Sequence, residues 1–226
     1  MSADDAQPGD LARRMLSRAW KIVGQNILML VLFSAAYFGA VAGLITFVIG
    51  PNRALWPIPV LIEVVVYGFG LAALMTVAGV SEKPLGFWQA LRSLALAPRL
   101  AQLRLMGGLG AAATLAYVSG PASVAEGASP EAALARSEAL VSPKLAVIGA
   151  LRVLLLGVNM GGFFVMSAAF WGGASLVAHL PPDLAGKANL AVWLLLALAL
   201  VIWMALNLAA PAAAYAELTT PGKVSP

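Results

Sequence analysis

The sequence predicts an all-α integral membrane protein, a bundle of about five transmembrane helices (roughly four strong and one weak) with about two to three amphipathic interfacial helices. Hydrophobic residues make up 61% of the chain and charged residues only 11%, whereas a soluble domain is about 25% charged. The mean hydropathy is +0.89. The apolar residues form runs of roughly 20, which as helices can cross about 30 Å of hydrocarbon. A β-barrel would instead show short alternating segments.

A polar N-terminus with a basic interfacial helix occupies residues 1–21, before a single polytopic membrane domain of residues 22–217 and a short tail of residues 218–226. Asp10 can cap the interfacial helix, because its carboxylate accepts hydrogen bonds from the free N–H groups of a first helical turn. The first span runs from about Ile22 to Ile49. Its apolar run exceeds the roughly 7 to 15 residues of a signal peptide, so we expect this span to be retained.

Two apolar segments and a basic element follow the first span. The second span runs from about Pro57 to Val80 and contains Glu63. Residues 81–104 combine aromatic and basic side chains, which predicts a second interfacial element. Residues 105–125 carry no charge but are rich in glycine and alanine. They form either a weak span or a re-entrant hairpin.

A short polar helix precedes the longest apolar segment. Ser129 followed by a proline is a cap and a first-turn residue, which predicts a separate helix over residues 129–142. Residues 144–179 would be about 54 Å long as one helix, more than the hydrocarbon requires. This segment therefore either begins in the interface or breaks near Gly157. The last span runs from about residue 189 to residue 214.

Small residues recur every four positions on the first span and on the long apolar segment. This spacing lets helices approach closely, and it predicts packing within the bundle, a homo-oligomer or a membrane-protein partner. Membrane lipids are the other expected partner. Nucleic acid is not expected, because basic residues that flank membrane spans account for the positive charge. The small residues are Ala35, Gly39, Gly43, Gly157, Gly161, Ala168, Ala169, Gly172 and Gly173.

A pattern of residues lies just before the long apolar segment. Its members are Pro121, Val124, Glu126, Ala133, Leu134, Arg136, Ser137 and Leu140. The pattern resembles a membrane domain found beside, or independently of, bacterial glycerophosphoryl diester phosphodiesterases, in which a proline and a valine-x-glutamate precede an Ala-Leu-x-Arg-Ser helix. The resemblance implies a helical membrane domain without phosphodiesterase activity, because the soluble catalytic domain is not among these residues. That family has two spans before the Arg-Ser helix, whereas residues 105–125 have room for one.

Glu63 and Arg152 are ionisable residues in predicted spans. Such groups are costly in a bilayer unless they are paired, hydrated or protonated. If residues 105–125 cross the membrane, the two side chains lie at similar depth and can pair. If these residues do not cross, the pair is excluded. The functional interpretation is a pair that gates or coordinates a solute or proton, and the structural one is a buried pair or side chains that reach the interface.

Asn159 and Asn207 are polar residues of the last two apolar segments. They can bind a ligand, although hydrogen bonding between helices is the commoner use of such side chains in bundles. Together with Glu63 and Arg152, they are the candidate binding residues.

The sequence offers no catalytic, cofactor or metal site. Cysteine is absent and His179 is the only histidine, which excludes disulfides, thiolate nucleophiles, paired histidine ligands of haem and histidine metal clusters. Serines such as Ser167 have no visible base partner, and an unassisted hydroxyl is a weak nucleophile. We therefore expect no enzyme activity and no cofactor.

The leading hypothesis is a non-enzymatic inner-membrane scaffold or accessory protein, linked to envelope or lipid processes. The alternative is a small-solute or proton transporter or channel component that uses Glu63 and Arg152. The alanine-rich composition without cysteine favours a bacterial source. Lys and Arg concentrate on the side of the N-terminus whether residues 105–125 cross or not, which predicts a multi-pass protein with a cytoplasmic N-terminus.

Overall fold

The computed structural model describes residues 7–44 and 57–220, except for the side chains of residues 43, 44, 57–64 and 183. This part of the chain is helical, with short turns and no strand, which confirms the all-α class. Short 3₁₀ turns join α4 to α5 and α8 to α9. The α-helices are α1 (Pro8–Gln25), α2 (Ile27–Leu44), α3 (Pro57–Ser81), α4 (Phe87–Ser93), α5 (Ala97–Met106), α6 (Ala111–Leu115), α7 (Ser119–Glu126), α8 (Pro130–Val141), α9 (Leu145–Ala178) and α10 (Pro182–Thr219).

Two helical stretches of the described chain are long and apolar enough to cross a membrane. They are Pro130–Ala178, in which α9 continues α8, and Leu184–Thr219 within α10. A third span results if the bent pair of α1 and α2 is counted as one. These helices fit a membrane protein, and they account for two or three of the roughly five predicted spans.

The long apolar segment is a single helix. α9 runs for 34 residues without a break at Gly157, so the alternative of a break near Gly157 is wrong. The polar helix predicted before it is present as α8, and a short 3₁₀ turn joins it to α9 in one continuing stretch. The Ser129 side chain caps α8 by accepting a hydrogen bond from the backbone N–H of Ala132 at 3.3 Å.

Residues 105–125 do not form a spanning helix, so the prediction of a weak span there is wrong. α5 ends at Met106, and the chain turns through glycines before the five residues of α6. Gly108 and Gly110 have φ angles of +68° and +63°, which side chains disfavour. A Cβ on Gly107 would lie 2.8 Å from the Cβ of Ala116, because the turn folds back tightly on itself. Glycine thus breaks the helix that the lack of charge suggested.

The first span begins later than predicted, because the interfacial helix α1 continues to Gln25. The chain bends by 63° between α1 and α2, at the buried Asn26. The Asn26 side chain donates to the Ile22 carbonyl at 2.8 Å and accepts from the Leu85 N–H at 2.8 Å. This buried amide fastens the bend to the segment that follows α3.

α1 packs across α9 and α10 and also contacts α3. Arg18 of α1 pairs with Glu82, just after α3, and with Glu217 of α10 at 2.9 Å. The end of α3, the end of α10 and the start of α9 therefore lie together at one end of the bundle. Residues 82–144, which we call the cap, pack there: α4, α5 and α7 contact α3, and α7 also contacts α10.

Close helix packing uses fewer of the predicted small residues than expected. Gly173 faces Val192, and a Cβ there would lie 2.9 Å from that side chain. The tightest approach is at a glycine not singled out from the sequence, since a Cβ on Gly79 of α3 would lie 2.3 Å from the Cβ of Ala212 in α10. By contrast, open space surrounds the Cβ positions of Gly39, Gly157, Gly161 and Gly172.

Candidate functional site

Asn159 and Asn207 lie side by side between α9 and α10. Each amide donates to the other: Asn159 Nδ2 lies 3.0 Å from Asn207 Oδ1, and Asn207 Nδ2 lies 2.8 Å from Asn159 Oδ1. The Trp203 indole N–H also donates to Asn159 Oδ1. These two predicted residues therefore form an interhelical hydrogen-bonded pair.

Arg152 lies on α9, and its guanidinium donates to the Thr114 hydroxyl of α6. The predicted partner Glu63 lies in α3, but its side chain is outside the described residues. Pairing of the two required residues 105–125 to cross the membrane, and these residues do not form a spanning helix. The structure instead joins Arg152 to the cap.

A cavity of about 810 Å³ lies between the cap and the bundle. Its walls come from α3, α5, the connection of residues 107–121, α9 and α10. Three of the four predicted binding residues line it, namely Arg152, Asn159 and Asn207. Ligand pockets have volumes of roughly 300 to 1,000 Å³, so this cavity has room for an organic molecule.

The polar part of the cavity is positively charged. Arg104 of α5 lines it together with Arg152, and no carboxylate of the described side chains is among its lining residues. The Tyr117 hydroxyl is buried and has no hydrogen-bond partner among the described residues. Burial raises the pKa of this hydroxyl, while the charges of Arg152 and Arg104 act on it in the opposite sense. The guanidinium groups of Arg104 and Arg152 and the Tyr117 hydroxyl, unpartnered among the described residues, thus belong to residues that line one cavity.

A second polar cluster joins three elements at the cap. Arg136 of α8 donates from Nε to Glu126 Oε1 of α7 at 2.9 Å. The Tyr215 hydroxyl of α10 donates to the same oxygen at 2.9 Å. The hydrogen bond from Arg136, with a further one from Tyr215, lowers the pKa of the Glu126 carboxyl. This cluster fastens the cap to the end of α10.

Ser137, the neighbour of Arg136, is buried and closes the connection before α7. Its hydroxyl donates to the Leu115 carbonyl at 2.6 Å and accepts from the Val118 N–H at 3.1 Å. Glu126 and Arg136 therefore join α7 to α8, and Ser137 fixes the connection that forms part of the cavity wall.

Sequence reasoning missed Arg104 and Tyr117 as site residues. Arg104 was only one of several basic residues in an interfacial element, and Tyr117 lay in a segment expected to be apolar. The signal that could have indicated them is the group of three glycines within residues 107–110, which predicts a turn between Arg104 and Tyr117. Within the described side chains, no three His, Asp or Glu residues come together in a way that could hold a metal ion.

The fold and the site together define a class of protein. It is a helical membrane protein with a cavity between cap and bundle that is lined by two arginines. Comparisons with protein-family models, with curated proteins and with solved structures find no match.

Proposed function

We propose that this protein is a non-enzymatic, multi-pass membrane protein that serves as a scaffold or accessory component in lipid-linked envelope processes of a bacterial inner membrane. The observation that carries the proposal is the cavity of about 810 Å³ between cap and bundle. Among the polar groups of the cavity, Asn159 and Asn207 join two helices, whereas the Tyr117 hydroxyl remains available to a ligand. The resemblance of residues 120–157 to the membrane domain of the phosphodiesterase family stays a prediction from the sequence.

Charge distribution supports a cytoplasmic cap and N-terminus. The basic helix α1 lies against the same end of the bundle as the cap, as the ion pairs from Arg18 to Glu82 and Glu217 indicate. The cap itself carries basic residues on α4 and α5, including Arg92, Arg99 and Arg104. Lys and Arg collect on the cytoplasmic side of membrane proteins.

The second candidate is a small-solute or proton transporter, because the cavity is lined by Arg152, Asn159 and Asn207. Polar groups inside a membrane bundle often mark a transport path. This candidate also retains Glu63, whose side chain the structure does not describe.

Reconstitution into liposomes separates the two candidates. With a pH-sensitive dye and radiolabelled solutes, we expect wild-type flux equal to that of empty vesicles. Flux above this background that is lost in both Glu63→Gln and Arg152→Gln would contradict the scaffold role and establish the transporter. Arg92→Gln is the matched control, because Arg92 is exposed and does not line the cavity.

A further inference from the structure

The cavity between cap and bundle is amphipathic. Its lining includes the polar side chains of Arg104, Tyr117 and Arg152. Its walls are apolar and come largely from the long helices, for example Leu156 of α9 and Leu200 of α10. Leu156 and Leu200 lie on the two helices long enough to cross a membrane, and both side chains are exposed. The cavity therefore reaches the surface that would face lipid chains.

The lining carries two positive charges without a counter-charge among the described side chains. Arg104 and Arg152 make no ion pair with a described carboxylate, and Arg152 uses only Nη1 in its bond to Thr114. A guanidinium presents a planar fork of donors that matches the oxygens of a phosphate group. Two such forks in one cavity favour an anion with several acceptor oxygens.

Tyr117 supplies a third, independent observation. Its hydroxyl is buried yet makes no hydrogen bond to a described residue, although buried tyrosine hydroxyls usually have a partner. Tyr117 lines the same cavity as Arg104 and Arg152. An acceptor oxygen bound between the arginines would satisfy it.

We infer that the cavity binds the phosphate head of an anionic phospholipid. Arg104 and Arg152 bind the phosphate oxygens, Tyr117 donates a hydrogen bond to one of them, and the acyl chains leave along Leu156 and Leu200 toward the bilayer. The inference names a ligand class for the lipid-linked role proposed above and rests on that role. A soluble anion would contact the two arginines and Tyr117 but would leave the apolar walls unused, whereas a phospholipid uses both parts of the cavity.

Native mass spectrometry of the full chain in a non-ionic detergent tests this binding. Dimyristoyl phosphatidylglycerol and dimyristoyl phosphatidylcholine are titrated in parallel. We expect the anionic lipid to bind at least about tenfold more tightly, since hydrogen bonds to charged groups contribute about that factor. Arg104→Gln and Arg152→Gln should each weaken the anionic lipid about tenfold, and Tyr117→Phe about fivefold.

Arg92→Gln is the control and should bind as the wild type does. Equal binding of the two lipids to the wild type, or undiminished binding in Arg104→Gln, would overturn the inference. Displacement of the lipid by inorganic phosphate at equal concentration would overturn the lipid assignment in favour of a soluble anion. If Arg152→Gln fails to fold, Arg104→Gln decides alone, because Arg104 is exposed and has no structural hydrogen bond to a described residue. None of these outcomes alters the flux assay, which decides the proposed function separately.

Discussion

The Ser137 hydroxyl accepts a hydrogen bond from the Val118 backbone N–H at 3.1 Å, and the same oxygen donates to the Leu115 carbonyl. Val118 and Ser137 are both buried. α8 thereby fixes the turn that ends α6, which forms part of the wall of the cavity.

Replacing Ser137 by alanine should destabilise the cap. The change leaves the Val118 N–H and the Leu115 carbonyl without their partner, which costs about 1 to 3 kcal/mol for buried groups. Thermal unfolding in detergent measures the loss, and Ser142→Ala is the control because Ser142 is exposed. Equal melting temperatures for the two variants would show that Ser137 does not hold the turn.

Asn26 should control the bend between α1 and α2. Asn26→Leu removes the acceptor of the Leu85 N–H, so hydrogen exchange at that amide should accelerate and stability should fall by about 1 to 3 kcal/mol. Gln25→Leu changes an exposed neighbour and should leave exchange at Leu85 unaltered. Unchanged exchange in Asn26→Leu would contradict the role of the side chain.

The amides of Asn159 and Asn207 should be energetically coupled. A double-mutant cycle with leucine at each position should give a coupling free energy of about 0.5 to 1.7 kcal/mol, the range found for polar contacts between membrane helices. Unfolding in detergent measures all four proteins of the cycle. Additive single effects would mean that the two amides do not interact.

Gly79 should not tolerate a methyl group. Gly79→Ala places a Cβ 2.3 Å from that of Ala212, so α3 and α10 must separate, and we expect a loss of about 1 to 3 kcal/mol. Gly149→Ala is the matched control, because open space surrounds its Cβ position and alanine favours the helix. A gain in stability for both variants would contradict the tight packing.

Acid should weaken the contact of the cap with α10. The folded-state pKa of Glu126 lies below its usual value because Arg136 and Tyr215 hydrogen-bond the carboxylate. This stabilisation is therefore complete above the usual pKa and is lost as the pH falls through the folded-state pKa. The melting temperature of the wild type should fall more between neutral and acidic pH than that of Glu126→Gln. Parallel pH profiles would exclude Glu126 from the effect.

The class and most helix positions could be predicted because hydrophobic run length and capping residues are local signals. Ser129 marked the start of α8, for example. The α5–α7 connection could not be predicted from hydropathy, since glycine counts as nearly neutral there while its backbone freedom ends the helix. Arg104 and Tyr117 became site residues only through that turn. The bend at Asn26 depends on a hydrogen bond to Leu85, a distant residue that no local pattern reveals.

The proposed topology places the whole cap at one side of the membrane. Because the chain has no cysteine, single cysteines can replace Lys83 and Ala139, both exposed on the cap, and His179 between α9 and α10. Intact cells that express each variant are treated with a membrane-impermeant maleimide, with lysed cells as the labelling control. We expect Lys83→Cys and Ala139→Cys to be protected until lysis and His179→Cys to be labelled in intact cells. Labelling of Ala139→Cys in intact cells, with Lys83→Cys and His179→Cys protected until lysis, would mean that residues 105–125 cross the membrane, and would contradict this topology.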